Sequence, residues 1–174
     1  MTDTPVTDAA RDIELSREPL RLRPETEADR EFRFALFCAS RPPEEDFSPL
    51  GPELAQQMLR QQFRAQTQSY RADCPQARFD VIELDGAPVG YVIVVMTDTE
   101  ARVVDLAIVP ERRGGAIGEA VIKSVMAEAQ SRALPLRASV LNGNQGSLRF
   151  CRRLGFTPIG EPTPFYTELE WRGD

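Results

Sequence analysis

A turn dense in glycine and arginine, residues 111–118 with the sequence ERRGGAIG, has the composition to bind an anion. An apolar, partly β-branched run at 103–109 precedes it and predicts a buried strand. Apolar residues at helical spacing follow it. A strand, a glycine loop and a helix in this order leave N–H groups unpaired at the helix N-terminus, and glycines let an anion approach the main chain. The pattern predicts a phosphate or pyrophosphate ligand, although a plain tight connection between a strand and a helix would look similar.

The composition excludes several kinds of site. The chain has 174 residues and no histidine, which removes the commonest general base, the Ser-His and Cys-His nucleophile pairs and the commonest zinc ligand. The three cysteines, Cys38, Cys74 and Cys151, are an odd number at wide spacing and indicate reduced thiols rather than a disulfide framework or a metal site. We therefore expect no metal cofactor.

Charge and hydropathy indicate the setting of the protein. The net charge of -6 argues against nucleic-acid or membrane partners, and no apolar run is long enough to cross a bilayer. The start lacks the basic and apolar regions of a signal peptide, so we expect a cytoplasmic protein. We expect it to be a monomer or a homodimer. Residues 1–18 are acidic and lack apolar periodicity, which predicts a flexible acidic tail before a single domain over 19–174.

The elements that position the loop follow from apolar patterns and from the residues that break them. The predicted strands are 20–23, 78–84, 89–96, 103–109, 136–141 and 165–171. The predicted helices include 32–37, 54–63, 121–129 and 147–154. Three consecutive antiparallel strands leading into the loop do not fit a dinucleotide-binding domain, in which parallel strands alternate with helices.

Residues 109–118, VPERRGGAIG, resemble the coenzyme A loop of the GNAT superfamily of N-acetyltransferases. The signature of that loop is Arg or Gln, two residues, Gly, one residue, then Gly or Ala. Arg113 and Gly118 match it, while Ala116 stands where the family usually has its central glycine. An alanine there costs little if its φ is negative and about 1 kcal/mol or more if its φ is positive.

Residues 144–156, NQGSLRFCRRLGF, resemble the second GNAT motif, in which an Asn precedes a helix that ends Tyr-x-x-Leu-Gly-Phe. Asn144 and the final Leu-Gly-Phe match, and Cys151 occupies the tyrosine position. The two motifs in this order imply an α/β (α+β) GNAT fold. Its mixed central sheet would have about six or seven strands, largely antiparallel, splayed between the fourth and fifth strands and flanked by helices.

The resemblance also implies an activity and a set of binding groups. It implies an acyl-CoA-dependent N-acyltransferase that moves an acetyl group from acetyl-CoA directly to a primary amine of a small molecule or a protein terminus. The first two helices would form one wall of the acceptor site. The implied cofactor-binding residues are Leu106, Ile108, Arg113, Gly114, Gly115, Ala116, Gly118, Glu119 and Asn144.

The catalytic groups are less complete than the binding groups. Family members often carry a glutamate base near position 102 or 139, where this chain has Arg102 and Ser139. Asp105 is the nearest carboxylate, and strand parity places it on the opposite face from its neighbour at 106. For the acid we consider Cys151, Tyr91 and Tyr166.

Two pairs of alternatives stay open from the sequence. Cys151 is either a weak catalytic donor or a small buried packing residue. The protein is either an acetyltransferase that works mainly by proximity and electrostatics, or a catalytically weak GNAT-fold sensor of acyl-CoA or assembly partner.

Overall fold

The structure, a computed structural model, describes residues 10–14, 19–41, 47–161 and 163–173. Within these ranges one eight-stranded sheet is flanked by four α-helices. The strands are β1 (Arg11–Glu14), β2 (Pro19–Pro24), β3 (Arg78–Leu84), β4 (Ala87–Met96), β5 (Ala101–Ile108), β6 (Leu136–Leu141), β7 (Thr157–Pro158) and β8 (Tyr166–Trp171). The helices are α1 (Arg30–Ala39), α2 (Pro52–Asp73), α3 (Ile117–Ser131) and α4 (Gln145–Arg153).

The sheet confirms the predicted fold class. Its strands lie in the order β1-β2-β3-β4-β5-β6-β8-β7, and neighbouring pairs are antiparallel except for β5 and β6, which are parallel. Eight strands are present rather than six or seven, because β1 and the two-residue β7 add a strand at each edge.

Apolar clusters cover both faces of the sheet. The larger cluster joins α3 and α4 to one face through residues such as Val121 and Leu169, which have no exposed surface. The smaller cluster joins Leu36 of α1 to Tyr91 and Ile93 of β4 on the other face. Because successive strand residues point to opposite faces, β4 is buried on both sides.

A β-bulge interrupts the alternation of β5. Asp105 pairs with Ile93 and Val103 pairs with Val94, so Val104 is an additional residue on β5. A bulge of this kind changes which face the following side chains take. Val104 and Asp105 both lie on the α1 and α2 side, whereas Val103 packs in the cluster beneath α3.

Residues 11–14 form a strand within the segment predicted to be a flexible tail, so that prediction is wrong for these residues. β1 pairs antiparallel with β2, and Ile13 packs against the larger cluster. Apolar periodicity cannot reveal a four-residue strand that docks mainly through its backbone and one arginine. Residues 1–9 and 15–18 of the predicted tail lie outside the described residues.

Ion pairs join β1 to β3 and α3. Arg11 donates to Asp80 at 2.8 Å and to Glu128 at 2.9 Å, and Arg78 also donates to both carboxylates. Asp80 is buried, so its charge requires these partners. Burial opposes ionisation of Glu128, but the hydrogen bond from Arg78 and the charges of Arg78 and Arg11 outweigh it and lower the pKa of Glu128.

We predict that Arg11→Ala lowers the free energy of unfolding by about 1 kcal/mol, because Asp80 and Glu128 each lose a guanidinium partner. Urea denaturation at neutral pH measures the change. A carboxylate with a lowered folded-state pKa contributes stability above its unfolded pKa. The difference between the two proteins should therefore shrink as the pH falls below 4.5, the ordinary pKa of glutamate.

Arg21→Ala is the matched control on the neighbouring strand. Arg21 forms a 3.9 Å ion pair with the exposed Asp12, so we expect its replacement to change the free energy of unfolding by less than about 0.5 kcal/mol. Equal losses from the two substitutions would contradict a stabilising role for the Arg11 cluster.

Candidate functional site

The sheet opens between β5 and β6 ahead of the glycine loop. The two strands pair only as far as Val103, which lies beside Ala138. On the other side of β5, Val109 donates its N–H to the Val89 carbonyl at 2.9 Å. N–H and C=O groups alternate between the two sides of an antiparallel strand, so those of residues 106 and 108 point into the opening. Main-chain donors and acceptors therefore line its β5 side.

The loop after β5 presents unpaired main-chain donors. Among the described residues, the N–H groups of 114–119 have no hydrogen-bond acceptor. Ala116 is the N-cap of α3 and has no side-chain oxygen to cap the helix. The partial positive charge of the helix N-terminus adds to these donors. The arrangement has the chemistry to bind a phosphate group.

Backbone angles explain how the loop accommodates an alanine at the central position of the motif. Ala116 has φ -76° and ψ -9°, an ordinary right-handed conformation. Gly114 has φ +75°, where a side chain would be strained. The alanine methyl therefore costs little, and glycine is required at 114 instead.

The side chain of Arg113 fastens the loop to α1. Its Nε donates to the Ile108 carbonyl at 2.9 Å, and its Nη2 donates to Ser40 Oγ at 3.0 Å and to the Ala39 carbonyl at 3.3 Å. A cation is favourable at the C-terminus of a helix, where carbonyls lack partners. Two residues predicted to bind the cofactor, Arg113 and Ile108, are thus in contact with each other.

Helix α4 packs against the first turn of α3. A Cβ built on Gly118 would lie 3.6 Å from the Phe150 ring, which is an ordinary contact distance. Glu119 pairs with Lys123 at 2.7 Å and with Arg153 of α4 at 3.8 Å. The hydrogen bond from Lys123 lowers the pKa of Glu119, so this residue is ionised beside the loop.

Asn144 begins α4 as its N-cap. Its Oδ1 accepts the N–H of Ser147 at 3.0 Å, which satisfies one of the free donors of that helix. The structure thus gives Asn144 a capping role, and its contact with a cofactor stays a prediction.

Cys151 lies in the larger apolar cluster. It is buried, and burial raises the pKa of its thiol. A buried thiol with a raised pKa is a poor nucleophile. This placement favours the packing role over the catalytic one.

A cluster of titratable groups lies on the α1 and α2 side of the opening. Asp105 Oδ2 accepts hydrogen bonds from the Tyr91 hydroxyl at 2.7 Å and from the Tyr70 hydroxyl at 3.3 Å. The sequence identifies Asp105 only as the nearest carboxylate, outside the predicted site residues. The signal that was available is an acidic residue within an otherwise apolar strand.

Tyr166 approaches this cluster from β8. Burial and the charge of Asp105 raise the pKa of Tyr70, and Tyr166 is close enough to contribute to that rise. Tyr166 is 46% exposed. The hydroxyl of Tyr91, by contrast, is buried and bonded to Asp105.

The two positions where family members often carry a glutamate have other roles here. Arg102 bridges Glu100 at 2.9 Å and Glu168 at 3.1 Å. Ser139 is exposed on β6. Neither residue can serve as a carboxylate base.

Neither a metal centre nor a membrane span occurs in the described ranges. They contain no group of three His, Cys, Asp or Glu residues arranged to hold a metal ion. None of their helices has the length and apolar character to cross a bilayer. One shallow depression lies along the exposed side of α2, lined mainly by Gln and Arg between 57 and 68, and no described acidic residue lines it.

Comparison with known proteins agrees with this geometry. The acetyltransferase (GNAT) family model matches residues 44–156, more than half of the chain. A Bacillus subtilis (strain 168) protein named "Putative ribosomal protein bS18-alanine N-acetyltransferase" is 32% identical over 97 residues. The match covers 54% of this chain and 63% of that protein, less than two thirds of its length.

Solved structures share the fold. An acetyltransferase from Thermus thermophilus has a TM-score of 0.66 and 24% identity, over 88% of this chain and 96% of that chain. PaiA N-acetyltransferase from Thermoplasma acidophilum, solved in complex with coenzyme A, has a TM-score of 0.64 and 14% identity, over 88% and 99% of the respective chains. At these identities the similarity establishes the fold alone.

We predict that Cys151→Ala lowers the free energy of unfolding by about 1 kcal/mol, because it removes a buried sulfur from the larger cluster. Turnover should stay within about twofold of wild type. Cys74→Ala is the control, since this thiol is only partly buried at the end of α2. A loss of turnover of about 10²-fold with cofactor affinity intact would contradict the packing role.

Proposed function

The chain belongs to the GNAT family of acetyltransferases, and on this premise we propose that it moves an acetyl group from acetyl-CoA directly to a primary amine of a small molecule or a protein terminus. The observation that carries the proposal is the opening between β5 and β6, which leads into the free N–H groups of 114–119. A thioester carbonyl needs a hydrogen-bond donor as charge develops on its oxygen, and a pyrophosphate needs several donors. The opening and the loop supply both along one path.

We assign the donor groups along this path to two parts of the cofactor. The N–H groups of 114–119 bind the pyrophosphate, because they are free and lie at a helix N-terminus. The N–H of Ile108 binds the acetyl carbonyl and the carbonyl of Leu106 binds the pantetheine arm, whereas the N–H of Leu106 is excluded because it interacts with the Asp105 carboxylate. The Ile108 carbonyl is excluded from this set, because Arg113 already donates to it.

The chemistry we propose is a direct attack by the amine. A double-displacement route needs an activated nucleophile, and the thiol at the family tyrosine position, Cys151, is buried in the larger cluster with a raised pKa. Holding the two substrates on either side of β5 supplies proximity and orientation instead.

The relative from Bacillus subtilis supports a peptide N-terminus as the first acceptor to test. Its name gives an alanine of a ribosomal protein as the substrate of that protein. An N-terminal amine is a primary amine that is mostly protonated at neutral pH, so the acceptor site must accept a cation and remove a proton.

A second candidate function is an acyl-CoA sensor with little or no turnover. It is favoured by the residues at the usual base positions, Arg102 and Ser139, and by Cys151 at the position of the family tyrosine. The two functions share cofactor binding and differ in whether thiol is released in the presence of an amine.

We predict that acetyl-CoA binds the loop and that Gly118→Asp weakens this binding at least tenfold, because the new carboxylate repels the pyrophosphate. Isothermal titration calorimetry measures both affinities. Gly118→Ala is the control: its Cβ has ordinary room beside Phe150, so the melting temperature and affinity should stay near wild type. Undiminished binding by Gly118→Asp would exclude this loop as the pyrophosphate site.

Thiol release distinguishes the enzyme from the sensor. We expect free CoA to appear when acetyl-CoA is mixed with a peptide that begins with alanine, and an N-acetylated copy of that peptide to give only background release. A panel of small primary amines extends the assay. Binding of acetyl-CoA with no release from any amine would support the sensor and contradict the transferase.

A further inference from the structure

Asp105 is a carboxylate with no cationic partner of its own. Among the described residues, no arginine or lysine forms an ion pair with it. Two neutral hydroxyls, from Tyr91 and Tyr70, both donate to Oδ2, and no described side chain donates to Oδ1. The residue as a whole is half-buried, and its carboxylate is densely surrounded. We call the surroundings of this carboxylate, lined by Tyr70 and Tyr91, the recess.

The charged groups described around this recess do not pair with the Asp105 carboxylate, so a further cation could bind it. Arg33 of α1 acts on Asp105 electrostatically, but its guanidinium lies 3.7 Å over the Tyr91 ring and donates to Glu25 at 2.8 Å. Burial raises the pKa of Asp105, outweighing the Tyr91 hydrogen bond, the charge of Arg33, the adjacent backbone amide and the Tyr70 hydrogen bond. Ionised Asp105 would therefore be stabilised by an ammonium group.

The position of Asp105 on β5 places the recess next to the donor path, by which we mean the opening between β5 and β6 together with the N–H groups of 114–119. It follows the last residue paired with β6 by two positions, and the next residue, Leu106, directs its main chain into the opening. The bulge at Val104 places the carboxylate on the α1 and α2 side, and Tyr166 reaches the same side from β8. An amine on Asp105 would thus approach β5 from the side opposite to the cluster beneath α3.

We propose that Asp105 binds the ammonium group of the acceptor and takes its proton, with Tyr70 and Tyr91 orienting the carboxylate; this rests on the proposed acetyl transfer. The ammonium gives one proton to Asp105, and the neutral nitrogen attacks the thioester carbonyl carbon. A C–N bond forms and the C–S bond breaks, with its electron pair on sulfur. The second nitrogen proton goes to the thiolate, which leaves as CoA thiol, and Asp105 releases its proton to solvent.

The first test compares Asp105→Asn with wild type on an alanine-initiated peptide. Asparagine has nearly the same shape but cannot take the proton, so we expect kcat/KM to fall by about 10²-fold or more while acetyl-CoA affinity stays unchanged. Asp98→Asn, in the exposed turn after β4, is the matched control. Wild-type kcat/KM in Asp105→Asn, or an equal loss of acetyl-CoA affinity, would overturn the proposal.

The pH profile separates proton transfer from a structural role. In wild type, the acid limb of kcat/KM follows Asp105, and in Asp105→Asn it should move up to the pKa of the amine itself, about 8 for an α-amino group. Tyr91→Phe removes a hydrogen bond that lowers the pKa of Asp105, so its acid limb should move to higher pH. An unmoved limb in both variants would overturn the assignment.

A binding experiment tests the ammonium site without turnover. Calorimetry on the CoA-loaded protein would compare butylamine and the alanine-initiated peptide with their N-acetylated forms. We expect Asp105→Asn to weaken binding of the free amines at least tenfold and to leave the acetylated forms unaffected. Free amines that bind both proteins equally, or neither, would overturn this inference. Wild type that discriminates between the forms but releases no thiol would instead overturn the transferase proposal.

Discussion

The separation of β5 from β6 after Val103 is the constraint on which the rest of the site depends. Three residues of parallel pairing hold the two strands together, and β6 then continues alongside β8. The edge of β5 beyond that point is left with main-chain groups that need partners from outside the sheet. The bulge at Val104 occurs at the same place and sets the face that Asp105 takes. One irregularity of the strand thus serves the donor path and the acceptor recess together.

Arginine side chains connect the elements around this opening. Arg113 joins the loop to the end of α1, and Arg33 of α1 stacks on Tyr91, which in turn holds Asp105. The loop proposed for the pyrophosphate and the recess proposed for the amine therefore share α1 as a support. Each of these contacts joins elements that are distant in the chain. A shift of α1 would therefore displace both the loop and the tyrosine that binds Asp105. Arg102 plays a similar part on the β6 side, where it bridges two carboxylates.

Local patterns predict most of the elements but not the way they pack together. The strands at 78–84 and 136–141 have the predicted bounds, because turns or proline flank stretches in which apolar and polar residues are interspersed. The loop was recognisable because glycines directly before a helix leave its first N–H groups accessible to an anion. Strand β1 and the recess were not recognisable, since each depends on partners far along the chain: Arg11 meets Glu128, and Tyr70 meets Asp105. No local periodicity of the sequence indicates such long-range contacts.

The composition of the chain explains why an aspartate is a reasonable proton acceptor here. Without histidine, the chain lacks the side chain whose ordinary pKa is nearest to neutrality. A carboxylate becomes a better base as its pKa rises, and burial in a recess raises it. At position 102 an arginine holds β5 to β8 through Glu168, so a carboxylate there would lose that bridge and face two acidic neighbours. Asp105, which accepts hydrogen bonds from two tyrosine hydroxyls, can take a proton without disturbing the ion pair between Arg102 and Glu168.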